Sequence, residues 1–151
     1  ARKEVIPAAR RVNEFMPVHM VEMVRKAYEE RKMAGKARVA IMGLSFLRDS
    51  DDTRNSPSLV IIDELERDCD LIVHDPFVQK PYKAEMVRDA EKALKGADCA
   101  VFVTDHSCYK DLDLGKVMGL MRTPIIIDGR NIFDKGTCES LGYLYKGIGK
   151  G

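Results

Sequence analysis

The chain has 151 residues, enough for one domain able to bury roughly 70% of its unfolded surface. Its 25 Lys and Arg against 24 Asp and Glu leave a formal charge of +1, which gives no global reason to expect nucleic acid or an anionic membrane as partner. No apolar run approaches the ~18–20 residues of a membrane-crossing helix, and ARKEVIPAARR at the start lacks a signal peptide's apolar core; a cytoplasmic protein is expected.

Residues 4–34 read as a helix. Ile6, Ala9, Asn13, Met16, Met20, Met23 and Ala27 recur three or four apart, and Val5, Ala8, Val12, Phe15 and His19 form a second stripe with like spacing. Two stripes imply two packing partners: the rest of this chain, and another domain or a second copy. Ordinary helix core is the plainer account of the methionines. Pro17 deletes a hydrogen bond and crowds the preceding turn, so a kink or split near Asn13–Met16 is expected. RKMAGKAR then closes the segment, with Gly35 as the expected C-cap and a basic last turn.

From residue 38 onward apolar runs alternate with helical patterns: RVAIMG, SPSLVIIDELERD, DLIVHDP, YKAEMVRDAEKALKG, ADCAVFVTDH, DLGKVMGLMR and TPIIIDGRN. Short, continuously apolar strands between amphipathic helices predict a doubly wound α/β domain, a mostly parallel Rossmann-like sheet preceded by the long helix. Alternating Leu141, Tyr143 and Tyr145 in LGYLYKGIGKG suggest a last short strand. Cys69, Cys99, Cys108 and Cys138 lack CxxC or CxxH spacing, so reduced thiols are expected and a zinc site is not, with Cys99 a small core residue inside CAVFV.

Ligands of such sheets bind beyond the carboxyl ends of the strands, and the unusual polar groups cluster there. SFLRDSDDTRN follows the first strand, His74-Asp75-Pro76 the second, Thr104-Asp105-His106 the third and Asp128-Gly129-Arg130-Asn131 the fourth. Ser56-Pro57 is a helix start, since serine caps free amides and proline is pre-shaped for the first helical position. Asp49, Asp51 and Asp52 are candidates for solvated loop acids or for bracing Arg54.

Three ligand classes fail on spacing. A calcium loop would need glycine where Arg54 stands and glutamate where Val60 stands. A dinucleotide loop would need two further glycines after Gly43. A phosphorelay receiver would need its acids at the strand end and a lysine on the last loop, whereas Asp51-Asp52 lie well beyond Gly43 and DGRN offers arginine. What remains is a phosphate or pyrophosphate held by the guanidinium forks of Arg54 and Arg130, with Phe46 as an apolar wall.

GLSFLRDSDDTRNSPS, HDPFV, GADCAVFVTDH and IIIDGRNIF, in this order, resemble the C-terminal, UDP-binding domain of the UDP-glucose/GDP-mannose dehydrogenase family. IPAARRVNEFMPVHMV resembles the end of that family's central dimerisation helix. Asn13, Met16, Pro17 and His19, with the ending YKGIGKG, are most similar to its UDP-N-acetylmannosamine dehydrogenase branch.

The resemblance implies residues 1–36 as the end of the dimerisation helix with its linker, and 37–151 as the nucleotide-sugar-binding domain. It implies a parent enzyme that oxidises a nucleotide sugar's primary alcohol to a carboxylate with NAD, through a catalytic cysteine. None of the four cysteines has the family's Gly-Gly-x-Cys context, and GxGxxG is absent. The chain is therefore expected to be a fragment with no catalytic residue and no metal site, partnered by an N-terminal NAD-binding domain and by a second copy through helix 4–34.

By the same resemblance Arg54 contacts NAD, Asp52 positions the arginine loop, and Phe46 and Arg130 contact the UDP-sugar. The chain departs from the pattern at Leu47, where the family has lysine; Arg48 follows it. The alternatives are a non-catalytic dimerisation module and a fragment of a UDP-glucose or GDP-mannose dehydrogenase.

Overall fold

The computed structural model describes residues 8–148, and side chains from Met16 onward. Helix α1 (Ala8–Glu30) leads into β1 (Ala37–Met42), α2 (Pro57–Leu65), β2 (Cys69–His74), β3 (Glu85–Val87), α3 (Ala90–Leu94), β4 (Cys99–Phe102), α4 (Ser107–Lys110), α5 (Leu114–Leu120), β5 (Ile125–Asp128), α6 (Lys135–Leu141) and β6 (Leu144–Gly147). All six strands are parallel, in the order β3-β2-β1-β4-β5-β6. The expected doubly wound α/β sheet is thus present, with its order reversing between β1 and β4.

Alternate residues of each strand feed two cores, as the period of a strand requires. Val39 and Ile41 of β1, with Ile125 and Ile127 of β5, join Met20, Met23, Val24 and Ala27 of α1 and Ile61, Ile62 and Leu65 of α2. Ala40, Met42 and Ile126 face the opposite core, with Leu94, Phe102, Tyr109, Phe133, Tyr143 and Tyr145.

Helix α1 confirms one stripe. Met20, Met23 and Ala27 are buried, and Met16 is half-buried against the same core. Ile6 and Val5 lie outside the described residues, and of the side chains of Ala8, Ala9, Val12, Asn13 and Phe15 nothing is described; His19 is exposed. Pro17 lies inside the single helix Ala8–Glu30, so it does not split the helix.

The helix also ends earlier than Gly35. Lys32 takes the left-handed conformation at φ 51°, its amide donates to the Glu29 carbonyl, and the Met33 amide donates to the Tyr28 carbonyl. This is a Schellman stop with lysine in the usual glycine place.

Two further elements differ from expectation. YKAEMVRDAEKALKG contains an edge strand, Glu85–Val87 paired to β2, before α3 begins at the Asp89 N-cap. Its periodicity reads as helical because three residues are too few to show alternation. The tail strand β6 is preceded by α6, a helix whose buried residue is Cys138 alone and so carries no apolar stripe. None of the four cysteines is in a disulfide, and Cys99 lies in the core as expected.

Candidate functional site

Reversal of strand order between β1 and β4 sends their following helices to opposite faces and opens a crevice at their carboxyl ends. Residues 43–56 and 103–106 line it. Gly43 has φ 105°, and a Cβ there would lie 2.5 Å from the Thr104 Cβ and Oγ1, so glycine alone lets the two loops close. The Thr104 hydroxyl donates to the Ser45 carbonyl at 2.6 Å, and Ser58 donates to the Gly43 carbonyl at 2.6 Å. Ser56 caps α2 by accepting from the Ser58 amide, with Pro57 at the first helical position.

Beneath the crevice lies Asp75, fully buried. One carboxylate oxygen accepts from the Leu44 and Ser45 amides at 2.8 and 3.1 Å and from His106 Nε2 at 2.8 Å. The other accepts from the Phe77 and Val78 amides at 2.8 and 2.9 Å. Burial alone would raise its pKa, but His106 and the Leu44, Val78 and Phe77 amides hold the carboxyl well below the usual range.

His106 is also fully buried. Its Nδ1 accepts from the Asp49 amide at 2.9 Å, which leaves the proton on Nε2 for Asp75. Asp75 and His106 thereby fasten the β2, β1 and β4 loops together. Asp49, at φ 54°, accepts from the Ser107 amide and hydroxyl at 3.0 and 2.7 Å, and these bonds lower its pKa.

His74, at the end of β2, is buried next to this hub. Its Nδ1 accepts from the Tyr109 hydroxyl at 2.8 Å and its Nε2 donates to the Arg88 carbonyl at 3.0 Å; burial lowers its pKa.

On this foundation stand the residues singled out from sequence. Phe46 is half-buried, its amide bonded to the Asp52 carbonyl at 3.0 Å. Leu47 is 58% exposed. Arg48 Nε and Nη2 donate to one oxygen of Asp105 at 3.2 and 2.8 Å, and Arg130 Nη2 lies 3.5 Å from the other. Loops separated by most of the domain thus bring two guanidiniums to one carboxylate. For Asp105 burial works upward, but Arg48 and Arg130 outweigh it and its pKa is lowered.

Arg54 stands apart. Its exposed side chain donates to both oxygens of Asp52 at 2.7–3.1 Å, and hydrogen bonding to Arg54 lowers the Asp52 carboxyl to about 2. Asp51 is exposed on the same loop.

Sequence reasoning placed Asp75, Asp105 and His106 on the rim without giving them roles. Apart from the Phe77 and Val78 amides beside Asp75, the partners described lie about 30 or more positions away, from Leu44 to Asp75 (|i−j| 31) and from Arg48 to Asp105 (|i−j| 57), beyond any local pattern. Arg130 is aimed by Asp128, fully buried, which accepts from the Arg130, Ile132 and Phe133 amides and from the Tyr145 hydroxyl.

Chemically the crevice offers forked cationic donors beside an apolar wall, a fit for phosphoryl oxygens. Cys108 is the exposed cysteine nearby, but burial of its sulfur and the charge of Asp49 push its thiol up, away from a nucleophilic thiolate. Among the described residues no group of three or more His, Cys, Asp or Glu is placed to hold a metal ion, and no helix is long and apolar enough to cross a membrane.

Residues 40–135 match the model of the UDP-glucose/GDP-mannose dehydrogenase family, UDP binding domain. The UDP-N-acetyl-D-mannosamine dehydrogenase of Pyrococcus horikoshii is 34% identical over 149 residues, covering 97% of this chain and 34% of that protein. The UDP-glucose 6-dehydrogenase of Pseudomonas aeruginosa is 36% identical over 124 residues, 74% of this chain and 27% of that protein. Among solved structures, the NDP-N-acetyl-D-galactosaminuronic acid dehydrogenase of Methanosarcina mazei superposes with a TM-score of 0.88 at 34% identity, over 95% of this chain and 31% of that one. This chain therefore spans about a third of the length of the relatives it matches.

Proposed function

The chain belongs to the UDP-glucose/GDP-mannose dehydrogenase family, and we propose that it is the nucleotide-sugar-binding part of an NAD-dependent 6-dehydrogenase acting on a UDP-N-acetylhexosamine of the N-acetylmannosamine type. The convergence of Arg48 and Arg130 at the β1/β4 crevice carries this reading. The two guanidiniums take the diphosphate, and Phe46 flanks the base or sugar. Arg48 supplies the charge that Leu47, at the family's lysine position, does not.

For NAD the sequence carries no glycine-rich dinucleotide loop, since Gly43 stands alone, and among the described residues Arg54 is an exposed arginine held by Asp52. No chemical step through NAD is assigned to this chain. Arg54 is proposed as a contact reaching a cofactor bound elsewhere. Residues 1–36 are proposed as the end of a dimerisation helix, and 37–151 as the nucleotide-sugar domain.

Titration of UDP into the isotope-labelled chain, followed by amide resonances, tests the binding role. Expected are shifts confined to residues 44–49, 104–107 and 129–132; shifts elsewhere, or none at the rim, overturn it. In an enzyme containing this domain, Arg54→Ala raises the KM for NAD far more than that for the sugar nucleotide. Light scattering of the chain checks the dimer.

A further inference from the structure

Asp105 differs from the fully buried carboxylates of the fold, Asp75, Asp98 and Asp128. Asp75 and Asp98 accept backbone amides from another segment and Asp128 from the loop that follows it, so each holds the chain in shape. The partners that Asp105 draws from other elements are side chains, the guanidiniums of Arg48 and Arg130, one on each carboxylate oxygen. Releasing them unmakes no backbone contact.

Exposure points the same way. The Asp105 side chain is 14% exposed, Arg130 23% and Arg48 54%, so none of the three is sealed from solvent. A part-exposed ion pair is a weak one, and an anion able to offer forked acceptors can replace it. Its removal, however, needs an acceptor for each arginine. A single phosphoryl group that reaches one guanidinium leaves Asp105 on the other and meets the carboxylate's charge at close range.

Resting on the reading that these arginines take a diphosphate, we propose that Asp105 is a specificity-determining residue: a built-in competing carboxylate that occupies Arg48 and Arg130 and is displaced in full only by a ligand with two adjacent phosphoryl groups. The carboxylate keeps two like charges converged before a ligand arrives. It also sets a threshold that monophosphates and inorganic phosphate fail to pass. The exchange is noncovalent; each arginine trades one anionic partner for another.

The test compares UDP and UMP binding to the chain and to its Asp105→Asn variant by calorimetry and by the arginine Nε–H resonances. Expected is a gain of about threefold to tenfold in affinity for UMP in the variant, with a smaller gain for UDP, so that the preference for UDP over UMP falls. Adding Arg48→Gln to Asp105→Asn removes the gain, because the carboxylate acts through that arginine. Weaker or unchanged UMP binding by Asp105→Asn, at an unaltered unfolding midpoint, overturns the proposal while leaving the diphosphate reading intact. Absence of UDP binding in both proteins overturns the diphosphate reading itself, and the competitor with it.

Discussion

Strand β4 has a carboxylate near each end, and each gathers arginine, yet the two clusters do different work. Asp98, just before the strand, is 1% exposed and accepts from the Arg38 amide, the Thr123 hydroxyl and the guanidinium of Arg122. It stitches β1, β4 and the turn before β5 at the amino end of the sheet. Asp105, just after the strand, binds two guanidiniums that come from separate loops. The same charge pairing is a rivet where backbone amides share the carboxylate, and an exchangeable contact where side chains alone do.

The largest way to break this contrast lies beneath the rim. Asp75→Ala strands the Leu44, Ser45, Phe77 and Val78 amides and frees His106, with an expected cost of about 3–5 kcal/mol in denaturant unfolding. A loss comparable with that of a surface mutant would show that the hub is not what shapes the crevice. Next comes Asp98→Ala, expected to cost about 2 kcal/mol, against a nearly unchanged unfolding midpoint for Asp105→Asn. Equal losses at the two ends of β4 would erase the distinction drawn between them.

Acid separates the two regions more gently. His74 is buried with a lowered pKa, so the unfolded chain binds the proton more readily. Its contribution is complete above the unfolded value of ~6.5 and is lost as pH falls through the depressed folded value. Asp75, also depressed, adds stability above ~3.9 that is lost at lower pH still. Thermal midpoints measured across pH are expected to fall in two stages, with the first flattened by His74→Gln. The smallest effect belongs to Arg54→Ala, which leaves the midpoint unchanged because its partner, Asp52, is a loop neighbour on an exposed surface.

Sequence disclosed the parts of this architecture that depend on local order. The β1 run, the Ser56-Pro57 start of α2 and the polar groups after successive parallel strands are all written within a few residues of one another. The edge strand at Glu85–Val87 and the stripe-less α6 were not legible, because neither buries enough alternate positions to leave a period. At the candidate site the individual letters were visible, including Arg48 beside the anomalous Leu47. Asp105 as the meeting point of Arg48 and Arg130 was not, since that relation exists only once β1, β4 and β5 lie side by side.

Gly129 ties this site to the long helix. A Cβ at that position would lie 2.5 Å from the terminal methyl of Met20 and 3.1 Å from the Phe102 carbonyl. Helix α1 therefore reaches the backbone of the loop that carries Arg130 through the Met20 side chain, with no Cβ on the loop side to hold it off. A shift of the helix meets that loop through one thioether, so the compliance of the candidate site depends on how firmly α1 is held.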